Sequence, residues 1–297
     1  MAIGVRCLAP QLLVVLALWA WAQAATPQPS GTLSVALVQG GIPTWVYKNA
    51  EDQDAWRLVP QDIYETLTRQ VKGADLTIWP ETAVWRLWGE DRAYETFLKR
   101  LSSNHQGALL IGAPRRDAGA SYMNSAVLLE SGELLGIANK RRLALIAEAS
   151  FSPDPHVQIL RWRSHDFGVI FCLESLVSEY AAQTVREGAS FLAVLAEGGR
   201  FGQTPVAWVH ATRSIVRAVE TGRSVLHTGQ HGHTMLIDAA GNFTLPLDVY
   251  RAAVLRGSMK LYDAEQTPYV RFGDWVVWAS LMMLFGGGVW QVYRRLC

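Results

Sequence analysis

Phe167-Gly168-Val169-Ile170-Phe171 is an unbroken apolar run that ends on Cys172; Leu176 to Glu187 follows with helical spacing, and Phe191 to Leu195 is a second apolar run. Short apolar runs of this kind read as strands buried on both faces. Strand, helix and strand in quick succession form the crossover unit of a parallel sheet, which predicts an α/β fold. The same alternation extends in both directions. Upstream, Leu33 to Val38, Asp75 to Trp79 and Ala108 to Ile111 read as strands, with helices over Asp54 to Val71 and Tyr94 to Leu101. Ser125 to Glu130 and Glu133 to Ala138, separated by Ser131-Gly132, read as a hairpin. Downstream, Val206 to Glu220 reads as a helix, and Val225-Leu226 and Thr234 to Ile237 as strands. No internal repeat or low-complexity tract interrupts the pattern.

The chain has 27 basic and 26 acidic side chains, a net charge of +1, which lacks the basic excess expected of a nucleic-acid binder. Its two ends are apolar. Arg6, the run from Leu12 to Trp21 and Ala22-Gln23-Ala24 have the order of a secretory signal, so residues 1–25 are expected to be a signal peptide or an N-terminal anchor. From Trp275 to Tyr293 there is no charged residue, and Trp275, Trp278, Trp290 and Tyr293 lie toward the ends of that segment. At ~1.5 Å per residue a helix of this length nearly covers the hydrocarbon layer, so 275–293 is predicted to be a transmembrane helix. Arg294 and Arg295 would then leave the C-terminus cytoplasmic and the remainder outside. Residues 31–262 form the expected catalytic domain and 263–274 a linker.

Of the three cysteines, Cys7 lies in the signal segment and Cys297 beyond the anchor, so the exported domain holds only Cys172 and no internal disulfide. Glu81 and Cys172 each follow an apolar strand, and Lys140 follows the second hairpin strand. In α/β folds the carboxyl ends of strands gather ligand groups. A thiol needs a base to become a nucleophile, and an ammonium can stabilise the oxyanion formed on attack at a carbonyl. Glu81, Lys140 and Cys172 thus suit acyl chemistry through a thioester. His231 and His233 would share a face of a strand, with His227 nearby. No cysteine or carboxylate cluster completes a metal site there, and neither a metal nor another cofactor is expected. Arg217, Glu220 and Arg223 read as ordinary ion pairs on a helix surface.

Several elements, in order, resemble apolipoprotein N-acyltransferases of the carbon–nitrogen hydrolase (nitrilase) superfamily. Val38-Gln-Gly-Gly-Ile-Pro43 is similar to that family's V-Q-G-x-I-P, and Trp79-Pro-Glu-Thr82 to its W-P-E-[ST]. Asn124-Ser125 is similar to Y-N-[ST], and Lys140 to Glu148 to K-x-x-L-V-P-F-G-E without the P-F-G. Cys172-Leu-Glu174 resembles C-Y-E, and Trp208-Val-His210 with Arg217, Glu220 and Arg223 resembles W-Q-H and R-x-x-E-x-x-R. Thr267-Pro-Tyr-Val-Arg271 with Gly273 and Trp275 resembles the approach to the family's last membrane helix. The resemblance implies a four-layer αββα nitrilase-type sandwich. It implies Glu81 as general base, Lys140 as oxyanion stabiliser and Cys172 as nucleophile, with Glu148 and Glu174 in support.

The resemblance also implies a bacterial inner-membrane protein with its catalytic domain on the periplasmic side. Its acyl donor would be a phospholipid or small amide, and its acceptor a lipoprotein amine. Three features depart from the pattern. There is room for one N-terminal segment rather than the family's multi-helix membrane domain. S-N-D-x-W-F-G becomes Ala196-Glu-Gly-Gly-Arg-Phe-Gly202, and Leu145-Ile-Ala147 replaces the proline and glycine after the lysine. Two alternatives therefore stand beside acyl transfer. One is a nitrilase-type amidase with water as acceptor, including a homologue of the conjugal-transfer type. The other is a degenerate envelope scaffold.

Overall fold

The computed structural model describes residues 27–52, 54–117, 119, 121–144, 148–199, 202, 204–263 and 265–296, together with Leu12, Leu16 and Ala17. The expected signal segment otherwise lies outside the described residues, as do Leu145-Ile146-Ala147. In chain order the elements are β1 (Gly31–Gln39), α1 (Thr44–Asp52), α2 (Asp54–Gln70), β2 (Leu76–Ile78), α3 (Arg92–Ser103), β3 (Ala108–Arg116), β4 (Tyr122–Glu130) and β5 (Glu133–Asn139). They continue with β6 (Ile159–Trp162), β7 (His165–Phe171), a 3₁₀ turn (Cys172–Leu176), α4 (Ser178–Arg186), β8 (Phe191–Ala196), α5 (Pro205–Thr221), β9 (Val225–Gly229), β10 (Met235–Ile237), β11 (Ala253–Leu261), α6 (Pro268–Phe272) and α7 (Trp275–Leu296).

Among the described residues the strands form a six-stranded sheet, β11-β1-β2-β3-β4-β5, and a five-stranded sheet, β10-β9-β8-β7-β6. Alternation along each strand dictates the layers. Leu33, Val35 and Leu37 of β1 turn inward to meet Phe167, Val169 and Phe171 of β7 and Phe191 of β8 in one core between the sheets. Phe167 and Phe191 stack there with centroids 4.7 Å apart. On the outer face of the first sheet, Val38, Trp79 and Leu109 pack against Tyr64 of α2 and Tyr94, Phe97 and Leu98 of α3. On the outer face of the second, Ile170, Leu192 and Val194 pack against Ala181 and Val185 of α4 and Ala211 and Ala218 of α5. The order helix, sheet, sheet, helix is the expected four-layer sandwich.

Four helices and strands were not predicted: α1, β6, α6 and β11. The last is an edge strand whose Arg256, Gly257, Ser258 and Lys260 break the apolar signal, yet it pairs with β1 along its whole length, from Gly31↔Leu261 to Gln39↔Ala253. The expected strand over Thr234 to Ile237 begins at Met235, and His231 and His233 lie in the bend between β9 and β10. They therefore do not share the strand face assigned to them.

The segment expected as a linker carries a docked helix. Val270 of α6 is buried in the core beneath α4 and α5, and its carbonyl accepts from Arg186 Nη1 at 2.8 Å. Thr267 caps α6 and donates to the Glu220 carbonyl. In α7, which follows directly, Trp275, Val276, Val277, Trp278 and Met282 to Phe285 are all exposed. Among the described residues no helix is long and apolar enough to cross a membrane. The side chains of the second half of α7 lie outside the described residues.

Candidate active site

Sheet topology brings the site together. β1, β2 and β3 are parallel, as are β7, β8 and β9. Two antiparallel steps from β3 through β4 to β5 return the chain to the same direction. The carboxyl ends of β2, β5, β7 and β8, and the start of β4, therefore lie at one end. They carry Glu81, Lys140, Cys172, Glu197 and Asn124, respectively.

Lys140 is 2 % exposed, and its Nζ lies 2.7 Å from Glu81 Oε1 and 2.8 Å from Glu148 Oε2. Asn124 Nδ2 donates to Glu81 Oε1 at 2.8 Å and to Glu148 Oε1 at 2.6 Å. The Ala144 amide adds a bond to Glu148 Oε2 at 2.7 Å. One ammonium thus sits between two carboxylates and spends two of its three N–H groups on them, which leaves one for a developing oxyanion. Burial raises the Glu81 carboxyl above its ordinary value; Lys140 opposes the shift, while Glu148 and Glu197 add to it. Burial alone would lower Lys140, but Glu81, the Cys172 sulfur and Glu148 outweigh it and hold the ammonium charged.

Lys140→Met is expected to destabilise the fold by about 3–5 kcal/mol, because it leaves buried carboxylates without their cation. Without Lys140, Glu81 rises further above its unfolded value. The folded state then binds a proton the unfolded state lacks, so the loss grows as pH rises, which urea unfolding at two pH values would measure.

Cys172 ends β7 with φ of 39°, a left-handed conformation that costs a non-glycine residue about 1–3 kcal/mol. The reversal lifts the sulfur off the strand into the site. Glu174 holds it. This fully buried carboxylate accepts from the Phe171 amide at 2.8 Å and from the Arg141 and Arg142 amides at 2.6 and 2.9 Å. Glu174 therefore joins the Cys172 turn to the chain just after Lys140. Burial raises it, and those amides pull it back toward the charged form. Burial also pushes the Cys172 thiol well up; Glu81 adds to this and Lys140 opposes it. The resting sulfur is thus a thiol, and its S–H faces the Glu197 carbonyl at 3.5 Å. The Glu197 amide donates to Glu81 Oε2 at 3.1 Å.

The structure brings together all five residues singled out from the sequence. Asn124 and the Glu197 backbone were not assigned roles. Asn124 stood only as part of a short motif, and a backbone contact has no side-chain signature in sequence. Arg217 and Glu220 do pair, at 2.8 Å, but Arg217 is 4 % exposed and reaches the Ser175 carbonyl at 3.3 Å. This corrects the helix-surface reading, because Arg217 turns inward under the nucleophile turn; Arg223 is buried as well. Each histidine considered as a ligand has another partner: His227 faces Ser214 at 2.8 Å, His233 the Leu247 carbonyl at 3.3 Å, and His231 Glu197 at 3.0 Å. Among the described residues no cluster suits a metal ion.

Residues 34–269 match the carbon–nitrogen hydrolase family. Curated relatives include the apolipoprotein N-acyltransferase of Geobacter metallireducens, 26% identical over 91% of this chain and 56% of the relative. That of Azotobacter vinelandii is 29% identical over 96% of this chain and 59% of the relative. The chain spans little more than half the length of these relatives. Among solved structures, a nitrilase-superfamily protein of Saccharomyces cerevisiae superposes with a TM-score of 0.61 at 18% identity, over 78% of this chain and 91% of its own. An amidase of Nesterenkonia sp. superposes with a TM-score of 0.59 at 20% identity, over 81% of this chain and 92% of its own. At such identities these two superpositions speak for the fold alone.

Proposed function

We propose that this chain, which belongs to the carbon–nitrogen hydrolase family, transfers an acyl group through a thioester on Cys172 at a membrane surface. Its acceptor would be a lipoprotein amine, as the names of its curated relatives suggest, and its donor a phospholipid, which a site held beside an exposed apolar helix would meet at a lipid surface. The observation that carries this reading is the docking of α6. With Val270 buried, the root of the apolar, exposed helix α7 is fixed to the unit that holds Cys172. The described first half of α7 exposes Trp, Val, Met, Leu and Phe, which matches it to lipid rather than to water. In this reading α7 tethers the domain to the bacterial inner membrane with the site on the periplasmic side.

Each step uses the groups already described. Glu81 takes the thiol proton as sulfur attacks the ester carbonyl, and the oxyanion forms against Lys140. The tetrahedral adduct collapses, the lysophospholipid alcohol leaves with the proton from Glu81, and Cys172 holds the acyl group as a thioester. The acceptor amine then attacks, its proton passes to Glu81, and the amide product leaves the thiol restored. The raised Glu81 suits a group that must both accept and return a proton.

The reading is tested by intact mass after incubation with phosphatidylethanolamine–phosphatidylglycerol vesicles. A fatty-acyl adduct that hydroxylamine removes is expected. No adduct on a thiol that still reacts with iodoacetamide would overturn the phospholipid donor and favour the hydrolysis of small amides.

A further inference from the structure

We infer that Glu197 and His231 form a positioning pair that holds the Glu197 backbone between the general base and the nucleophile. The inference rests on the proposed roles of Glu81 and Cys172. Residue 197 spends both of its backbone polar groups on the site, its N–H on Glu81 Oε2 at 3.1 Å and its carbonyl on the Cys172 thiol at 3.5 Å. A shift of this one residue would disturb the base and the sulfur together. It sits on a turn rich in glycine, Gly198-Gly199, which has little conformational preference of its own. Something else must hold it.

The Glu197 side chain does. Its Oε1 accepts from the Gly199 amide at 2.8 Å and lies 3.0 Å from Nδ1 of His231, a residue 2 % exposed. The other ring nitrogen of His231, Nε2, faces the carbonyl of Ile42, which is itself buried. Packing here is tight: a Cβ on Gly199 would fall 2.6 Å from Glu197 Oε1 and 2.9 Å from His231 Nδ1. Glu197 also stands where the resembling family's loop has asparagine.

Both ring nitrogens of His231 face oxygens, the Ile42 carbonyl and the Glu197 carboxylate. Tyr47 from α1, with ring centroids 6.1 Å apart, and Tyr250 at 5.5 Å pack against the ring and fix its orientation.

The test is the rate of iodoacetamide alkylation at Cys172, followed by peptide mass across pH 5.5–9. The proteins are the full-length parent, His231→Gln, Glu197→Gln and the double variant, each checked for folding by its thermal midpoint. Alkylation needs only proton removal from the thiol, so it reads the pair even if the acyl donor is not a phospholipid. At pH 6 each single variant is expected to react about ten- to a hundredfold more slowly, the scale of a small misplacement of reacting groups. The double variant is expected to be no slower than either single, because both changes remove one interaction. Singles that match the parent, or effects that multiply in the double variant, would each overturn the pair. Should His231→Gln fail to fold, Glu197→Gln decides alone: a folded variant that reacts at the parental rate overturns the pair.

Discussion

Cys172→Ala is expected to abolish acyl-adduct formation and to lower turnover by on the order of 10⁶-fold, the loss seen when the nucleophile of a covalent hydrolase is removed. Among the described residues Cys172 is the only cysteine, and it is buried, while the hydroxyl of Ser175 is engaged with the Cys172 carbonyl at 2.8 Å. The fold should barely respond. Glu174 holds the turn through the Phe171, Arg141 and Arg142 amides, none of which involves the thiol. Alanine also has a Cβ and meets the same left-handed φ as cysteine, so the backbone cost is unchanged. The measurement is intact mass after exposure to an activated acyl ester, beside the urea midpoint. An acyl adduct on a folded Cys172→Ala protein would remove Cys172 from its role.

Glu81→Gln separates the base from the scaffold. The substitution neutralises one of the two carboxylates against Lys140, but Glu148 Oε2 remains 2.8 Å from Nζ and keeps the cation paired. Stability is therefore expected to change little, in contrast to Lys140→Met. Reactivity should change much more. Burial and the neighbouring carboxylate hold Cys172 well above the ordinary thiol range, so without a base it stays protonated near neutrality. A loss of about 10²–10⁴-fold is expected in alkylation and acylation near pH 7, the usual contribution of a positioned base. In the parent, the acid limb of the rate should lie above the ordinary carboxylate range, because Glu81 is raised and must be unprotonated to act. That limb should be absent from Glu81→Gln. Parental reactivity in the folded variant would pass the role of base to another group.

The two predictions also show why the site is built from paired contacts. Asn124, Glu148 and the Glu197 amide all hold Glu81 or Lys140 from different elements. Glu81, Lys140 and Glu148 are each held by more than one neighbour, so the charge arrangement survives the loss of a single carboxylate but not of the single cation.

Much of this was legible in the chain. The apolar runs at Leu33, Asp75, Phe167 and Phe191 each became a strand, since a run buried on both faces needs no partner to be recognised. Glu81, Lys140 and Cys172 were readable because each closes a strand, and parallel strands deliver their ends to one place. The sequence by itself determined the α/β alternation and pointed to Glu81, Lys140 and Cys172, while Glu148 and Glu174 came with the family resemblance.

What only the tertiary structure decided is how these groups meet. The strand β11 escaped because its pairing energy comes from β1, more than two hundred residues away, rather than from its own mixed sequence. Arg217 read as a surface residue because helical spacing sets which residues share a face but not what that face meets. The backbone of Glu197, between base and sulfur, has no sequence signature at all. The contacts of His231 with Ile42 and Glu197 join segments far apart in the chain. Local propensity acts over a few residues and can be read from the chain. Protonation, burial and a shared carboxylate depend on neighbours that folding alone brings within 3 Å.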